Sequence, residues 1–182
     1  MTNDGSQGAN RPFDYKPHAY DPAVNPELFE GVLARRVLAF FIDVIIIAIP
    51  IVFAWVFIFA FGLVTLGFGW ALFWLIPPAS VIWALVYFGI TLGGPRSASV
   101  GMRVMDLEMH TWYGAPAYFV LGAVHAVVFW LSVSTLTPFV LLVCFFNQRR
   151  RLLHDILLGT VVINNSARAQ ALRAAGWNPH AG

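Results

Sequence analysis

Apolar residues run almost unbroken through the middle of the chain, and the lengths of the runs set the expected elements. Between Val37 and Leu92, 56 residues, the only formal charge is Asp43. About 20 apolar residues cross the hydrocarbon core of a bilayer. The run therefore predicts two spans, at about 36–61 and 70–92, with Gly62, Gly67 and Gly69 marking the turn between them. At that depth a segment must satisfy its own backbone, as a helix or within a closed barrel. Strand-like alternation of polar and apolar residues is missing, so the spans are read as helices. A third apolar stretch, Ala115 to Phe146, holds 32 residues. As one helix it would measure about 48 Å at 1.5 Å per residue, too long for a core of about 30 Å, and as two it is short. Ser132, Ser134, Thr135, Thr137 and Pro138 interrupt its second half, and proline can break a helix. A single pass would put Arg149–Arg151 on the side opposite Arg96 and Arg103, against the tendency of basic residues to stay cytoplasmic. A helical hairpin with a short second arm is the favoured reading and a single pass the alternative. The expected fold class is an all-α membrane protein of three to four transmembrane helices with a small cytoplasmic loop region.

The flanks read differently. Residues 1–24 are polar and broken by Pro12, Pro17 and Pro22, the pattern of a disordered cytoplasmic tail. Asn25-Pro26-Glu27 is a helix start: a capping Asn, Pro at the first helical position, then an acid. The helix it opens places Leu28, Phe29, Val32 and Leu33 on one side, suited to the membrane interface. The Gly93–Gly114 loop is polar and holds Arg96, Arg103, Asp106, Glu108 and His110. Its Arg103–Met109 stretch predicts a short strand. Leu152 to Ile163 is too short to span; it predicts one amphipathic turn and then an extended Thr160–Ile163. The two extended pieces are expected to approach each other and to bring Asp155 near the start of the first span. The membrane domain thus covers 25–165, and 166–182 forms a cytoplasmic tail with a helix over Ala167–Ala175 capped by Gly176. Trp70 at one membrane edge and Trp112–Tyr113 at the other suit interfacial belts.

Composition sharpens the class. Hydrophobic residues make up 59% of the 182 and charged ones 11%, against roughly a quarter charged in a soluble domain. The net charge of +2 matters less than its placement. Asp4, Asp14, Asp21, Glu27 and Glu30 precede the first span with only Arg11 and Lys16 against them, whereas Arg35–Arg36, Arg96, Arg103 and Arg149–Arg151 gather at the edges of the apolar runs. That placement predicts a multi-pass membrane protein with N-terminus, loop and tail all cytoplasmic. No basic face is interleaved with exposed aromatics, so nucleic acid is not an expected partner. Cys144 is the only cysteine, which rules out an intrachain disulfide and a cysteine-based metal site. About thirty polar and acidic residues before the first span are unlike a signal peptide, so that span is expected to stay in the mature protein.

Candidate chemistry is sparse. A carboxylate near the centre of a span costs roughly 2.5–3.5 kcal/mol on insertion scales, so Asp43 needs a reason. Arg36 lies on nearly the same helix face but two turns away, about 10 Å, unless it snorkels inward. Asp43 therefore calls for a partner from another segment, with Arg103, Arg149–Arg151 and His154 as the available cations. Two readings stand: a proton- or cation-handling carboxylate, or a structural ion pair pinning the first span to the loop. His125, alone in an apolar stretch, is either a relay group or a hydrogen-bonded packing residue. Pro50 and Pro77–Pro78 interrupt the first two spans, as in many transporter sites. Gly89-Ile-Thr-Leu-Gly93 allows close helix approach, within the chain or between copies. Metalloprotease, hydrolase-elbow and phosphate-loop motifs are missing, so neither an enzyme, a metal nor a cofactor is expected.

Arg35-Arg36-Val-Leu-Ala39-Phe-Phe-Ile-Asp43 resembles the opening signature of the bacterial RDD family, named for one arginine and two aspartates. Leu153-His154-Asp155-Ile-Leu-Leu-Gly159-Thr160-Val-Val resembles its closing signature, which also follows a basic run. Ser99-Val100-Gly101-Met102-Arg103 is similar to that family's Thr-Pro-Gly-Lys-Arg, with Thr-Pro and Lys replaced. The resemblance covers about residues 30 to 165 and implies Arg36, Asp43 and Asp155 as the named residues. It implies a membrane class and a part in transport, with no ligand assigned. Arg103, His154 and His125 complete the candidate charge network. The leading expectation is a small transporter or ion-coupled component using Asp43; the rival is a non-catalytic accessory or assembly subunit. Expected partners are the lipid bilayer and either further copies of the chain or another membrane protein.

Overall fold

The computed structural model describes residues 20–22, 24–136 and 152–176. The second arm of the expected hairpin with Pro138 and Cys144, the Arg149–Arg151 cluster and the tail over 1–19 lie outside the described residues. Helix α1, Val32–Val64, has 33 residues, about 50 Å at 1.5 Å per residue. It overruns the expected span at both ends. The interfacial helix expected before it shrinks to one 3-10 turn, Pro26–Leu28, because Gly31 at φ +66° breaks the helical path. Val32, Ala39 and Asp43 are buried in α1; spacings of seven and four put them on one face. Phe41, Ile45, Phe53 and Phe57 are exposed elsewhere on the helix, the surface a lipid tail would meet.

The chain reverses at Gly67, φ +99°, and enters a 3-10 segment, Phe68–Leu75. That segment folds back on α1, with Trp70 Nε1 donating to the Phe59 carbonyl at 3.3 Å. Helix α2, Ile76–Leu92, follows. Pro77 and Pro78 were read from sequence as breaks in the second span; they instead occupy its first turn, where the missing N–H costs nothing. Among the described residues, Pro26–Val64 and Phe68–Leu92 are long and apolar enough to cross a membrane. Helix α4, Phe119–Leu136, begins the third apolar stretch and packs on α2. A Cβ on Gly93 would come within 2.3 Å of the Phe119 backbone nitrogen, and one on Gly122 within 2.8 Å of the Phe88 carbonyl. The small residues at the end of α2 therefore serve close packing inside the chain.

The remaining elements gather at the charged end of these helices. Helix α3, Val100–Val104, lies against α1. Strand β1, Leu107–Thr111, pairs antiparallel with β2, Thr160–Asn164, in the register Leu107↔Asn164 and Met109↔Val162. The expected ribbon is present, but it starts four residues later than Arg103, whose segment is helical; Val104 is on α3 and Met109 is the partner of Val162. Helix α5, Leu153–Leu158, precedes β2, and α6, Ser166–Ala174, follows it. A two-stranded ribbon is marginal alone. Here Leu107, Met109 and Val162 join Val32, Leu92, Ala117 and Leu121 in one core cluster, so the ribbon is held by α1, α2 and α4. Asn164 Nδ2 donates to the Glu27 and Glu30 carbonyls at 2.8 and 2.9 Å, and Arg173 of α6 pairs with Glu27. These bonds tie the tail helix to the segment before α1.

Candidate functional site

Asp43 sits one-third of the way along α1 and is only 5% exposed. Its Oδ1 accepts from the Tyr87 hydroxyl at 2.6 Å and from the Gly101 amide at 2.8 Å. Its Oδ2 accepts from the Ser99 hydroxyl at 2.5 Å. Ser99 also caps α3, accepting from the Met102 amide at 3.1 Å. Close approach makes this possible: a Cβ on Gly101 would lie 2.1 Å from the Ala39 carbonyl oxygen and 2.9 Å from Asp43 Cγ. Of the cations expected as its partner, neither Arg103 nor His154 pairs with Asp43, and Arg149–Arg151 lie outside the described residues. Three neutral donors satisfy the carboxylate, and among the described residues no cation lies within ion-pair distance of it. The physical reason is that hydroxyl and amide dipoles can stabilise a buried carboxylate without the second desolvation that an ion pair demands. Arg103 turns away from Asp43, donating through Nε to the Ala98 carbonyl at 3.0 Å and through Nη2 to the Thr91 carbonyl at 3.4 Å, where it closes the C-terminal end of α2.

Arg36 finds its partner across the sequence. Its Nη1 stands 2.6 Å from Asp155 Oδ2, an end-on ion pair without a well-aligned hydrogen bond. Asp155 is fully buried. Its Oδ2 also accepts from the Leu152 amide at 3.0 Å, closing the first turn of α5, and its Oδ1 accepts from Thr160 at 3.4 Å. Burial, the largest single influence, would raise the Asp155 carboxyl, but the Arg36 guanidinium and the neighbouring His154 and His125 together hold it well below the usual carboxylate range. Two imidazoles complete the group: His154 Nε2 lies 3.5 Å and His125 Nε2 3.9 Å from Asp155 Oδ1. The rings meet edge to face, centroids 4.8 Å apart, and Phe129 closes on His154 at 5.1 Å. Burial pushes His154 down to about 3, against the pull of Asp155, so its ring is neutral at physiological pH.

Asp43 and the partners of Asp155 border a cavity of about 330 Å³ among α1, α2, α3, α4 and α5. Arg36, Asp43, Ser99, His125 and His154 line it between apolar walls that include Phe40, Phe88 and Phe129. Four of the six candidate residues, Arg36, Asp43, His125 and His154, line this cavity; Asp155 lies behind it against Arg36 and the two imidazoles, and Arg103 is not among the lining residues. Tyr87 escaped the sequence reading; its signal was a lone hydroxyl-bearing aromatic on the second span, 44 residues from Asp43. Thr160, expected as a strand residue and part of the closing signature, also donates to Asp155.

The model of the RDD family matches residues 31–159, and the chain belongs to that family. Arg36, Asp43 and Asp155, the residues that the two outer signatures single out, all fall within the match. Comparison with curated proteins and with solved structures returns no match.

Proposed function

We propose that this RDD-family membrane protein is a small transport component of the bacterial inner membrane, taking its ligand into the cavity at the charged end of the bundle. One observation carries this reading: Arg36, Asp43, Ser99, His125 and His154 converge on an otherwise apolar space of about 330 Å³. Polar and ionisable groups beside apolar spans are costly and mark ion or substrate paths. The protein performs no chemical conversion, binds no nucleic acid and keeps its N-terminus, loop and tail cytoplasmic. So few helices do not enclose a continuous path, so it works as a homo-oligomer or with a membrane partner.

A second reading, the accessory or assembly subunit, is favoured by the Asp43 site, whose carboxylate is satisfied by the chain itself. Proteoliposomes carrying sodium, potassium or proton gradients separate the two. Ala126→Phe places a ring into the cavity from α4, and Leu33→Phe does so from α1. Transport predicts flux in the parent chain and its loss in either variant at normal abundance. A parent chain that passes none of these ions but co-purifies with a second membrane protein supports the accessory role.

A further inference from the structure

We propose that His125, His154 and Asp155 bind one divalent ion of the zinc class, independently of whether the cavity conducts. The three offer ligand atoms that all lie within 4.8 Å of one another. A tetrahedral ion with bonds of about 2.1 Å holds its ligand atoms about 3.4 Å apart. The two imidazole-to-carboxylate separations, 3.5 and 3.9 Å, are close to that edge and too long for hydrogen bonds. The remaining edge closes by small rotations of the two rings.

A second observation points to a missing partner. The nitrogens that face Asp155 are the two Nε2 atoms, and neither makes a hydrogen bond among the described residues. Nδ1 of both rings, not a ligand atom in this arrangement, is likewise buried without a partner, and His154 is 1% exposed. Two adjacent buried imidazoles without hydrogen bonds are expensive in an apolar setting. Two neutral imidazoles and one carboxylate are the donor set of an open zinc site, and they supply too few oxygens for calcium or magnesium. Arg36 and the Leu152 amide hold Asp155 Oδ2 and so aim Oδ1 at the rings, the positioning that metal-bound carboxylates receive. His125 and His154 also line the cavity, so the fourth position opens into it. With Arg36 beside the ion, that position favours an anionic ligand such as hydroxide or chloride. The ion would clamp α4 to α5.

The test uses the full chain without a histidine tag, in detergent micelles, stripped by chelator and titrated with Zn2+ and Co2+. One ion per chain is expected, with the visible absorption of four-coordinate Co2+. His125→Gln and His154→Gln should each weaken binding by at least about 100-fold, while His110→Gln leaves it unchanged. Should either Gln variant misfold, His125→Cys retains a ligand and should add a thiolate-to-cobalt band in the near ultraviolet. A folded parent chain that binds neither ion overturns the proposal. So does unchanged affinity in both Gln variants, or a folded His125→Cys protein whose cobalt spectrum lacks the band.

Discussion

Replacing Asp43 by leucine tests what holds α3 onto α1. The substitution removes the acceptor of three buried donors: the Tyr87 hydroxyl, the Ser99 hydroxyl and the Gly101 amide. A buried donor left unsatisfied costs about 1–3 kcal/mol. The amide cannot turn to another acceptor, whereas the hydroxyls can rotate, so the sum should come to about 3–6 kcal/mol. Tyr87→Phe alone deletes one charge-assisted bond, worth about 1.5–3 kcal/mol, and the longer bond that its hydroxyl accepts from the Val100 amide at 3.3 Å. If the two groups act on each other, Asp43→Leu/Tyr87→Phe costs no more than Asp43→Leu alone, because the orphaned hydroxyl is gone. The coupling read from that cycle should be about 1.5–3 kcal/mol. SDS titration of the folded protein in mixed micelles measures each variant. Additive losses would refute the hydrogen-bonded account of Asp43. So would relief of Asp43→Leu by Arg103→Met, since that is the signature of a stranded arginine and Arg103 bonds carbonyls instead.

Gly101→Ala, whose Cβ would meet a backbone carbonyl at 2.1 Å, should cost at least the 1–3 kcal/mol typical of overpacking, about as much as losing a bond to Asp43, and the same titration reads it. Arg36→Gln or Asp155→Asn should each cost about 3–5 kcal/mol by leaving one buried charge alone, while Arg36→Met/Asp155→Leu should recover much of it; membrane abundance and thermal unfolding report both. In a Cys144→Ser background, Met109→Cys/Val162→Cys should cross-link across the ribbon, whereas Val104→Cys/Val162→Cys should not. Reporter fusions in the 93–114 loop and after Ala167 should both read cytoplasmic; a periplasmic tail would restore a single third span.

The apolar runs made the long helices legible, because about 20 apolar residues in a row have few other uses. The ribbon was legible too, since β-branched Thr160-Val-Val-Ile163 follows the left-handed Gly159 that ends α5. Boundaries failed where local sterics decide them. Gly31 and Gly67 take positive φ and stop the helical path, and Pro77–Pro78 open a helix that an apolar count would start at Trp70. Charge pairing was the least legible part. Sequence spacing relates Arg36 to Asp43 along one helix, but Arg36 meets Asp155, 119 positions away in sequence, across the packed end of the bundle. Counting cations as the only partners for a carboxylate also hid Tyr87 and Ser99, whose hydroxyls do the same work without a charge.

The depth of Asp43 decides how its cost should be judged. It lies eleven residues after Val32, the first residue of α1, about 16 Å along the axis. From Ile45 to Val64 the helix carries no charge and exposes large apolar side chains, and before Asp43 only Val37, Leu38 and Phe41 of its large apolar residues are exposed, so Asp43 lies towards one end of the stretch that faces hydrocarbon. The insertion cost for a lone carboxylate at mid-span therefore overstates what this chain bears. Around Asp43 the Tyr87 hydroxyl of α2 joins Ser99 and the α3 N-terminus, which the loop after α2 supplies, in a polar shell. The same loop continues into β1, which pairs with the strand that follows the Asp155 turn. Both carboxylates are thus buried by one folded cap on the bundle. Arg36 and Asp43 stand two turns apart on α1, so one helix carries a member of each buried polar group.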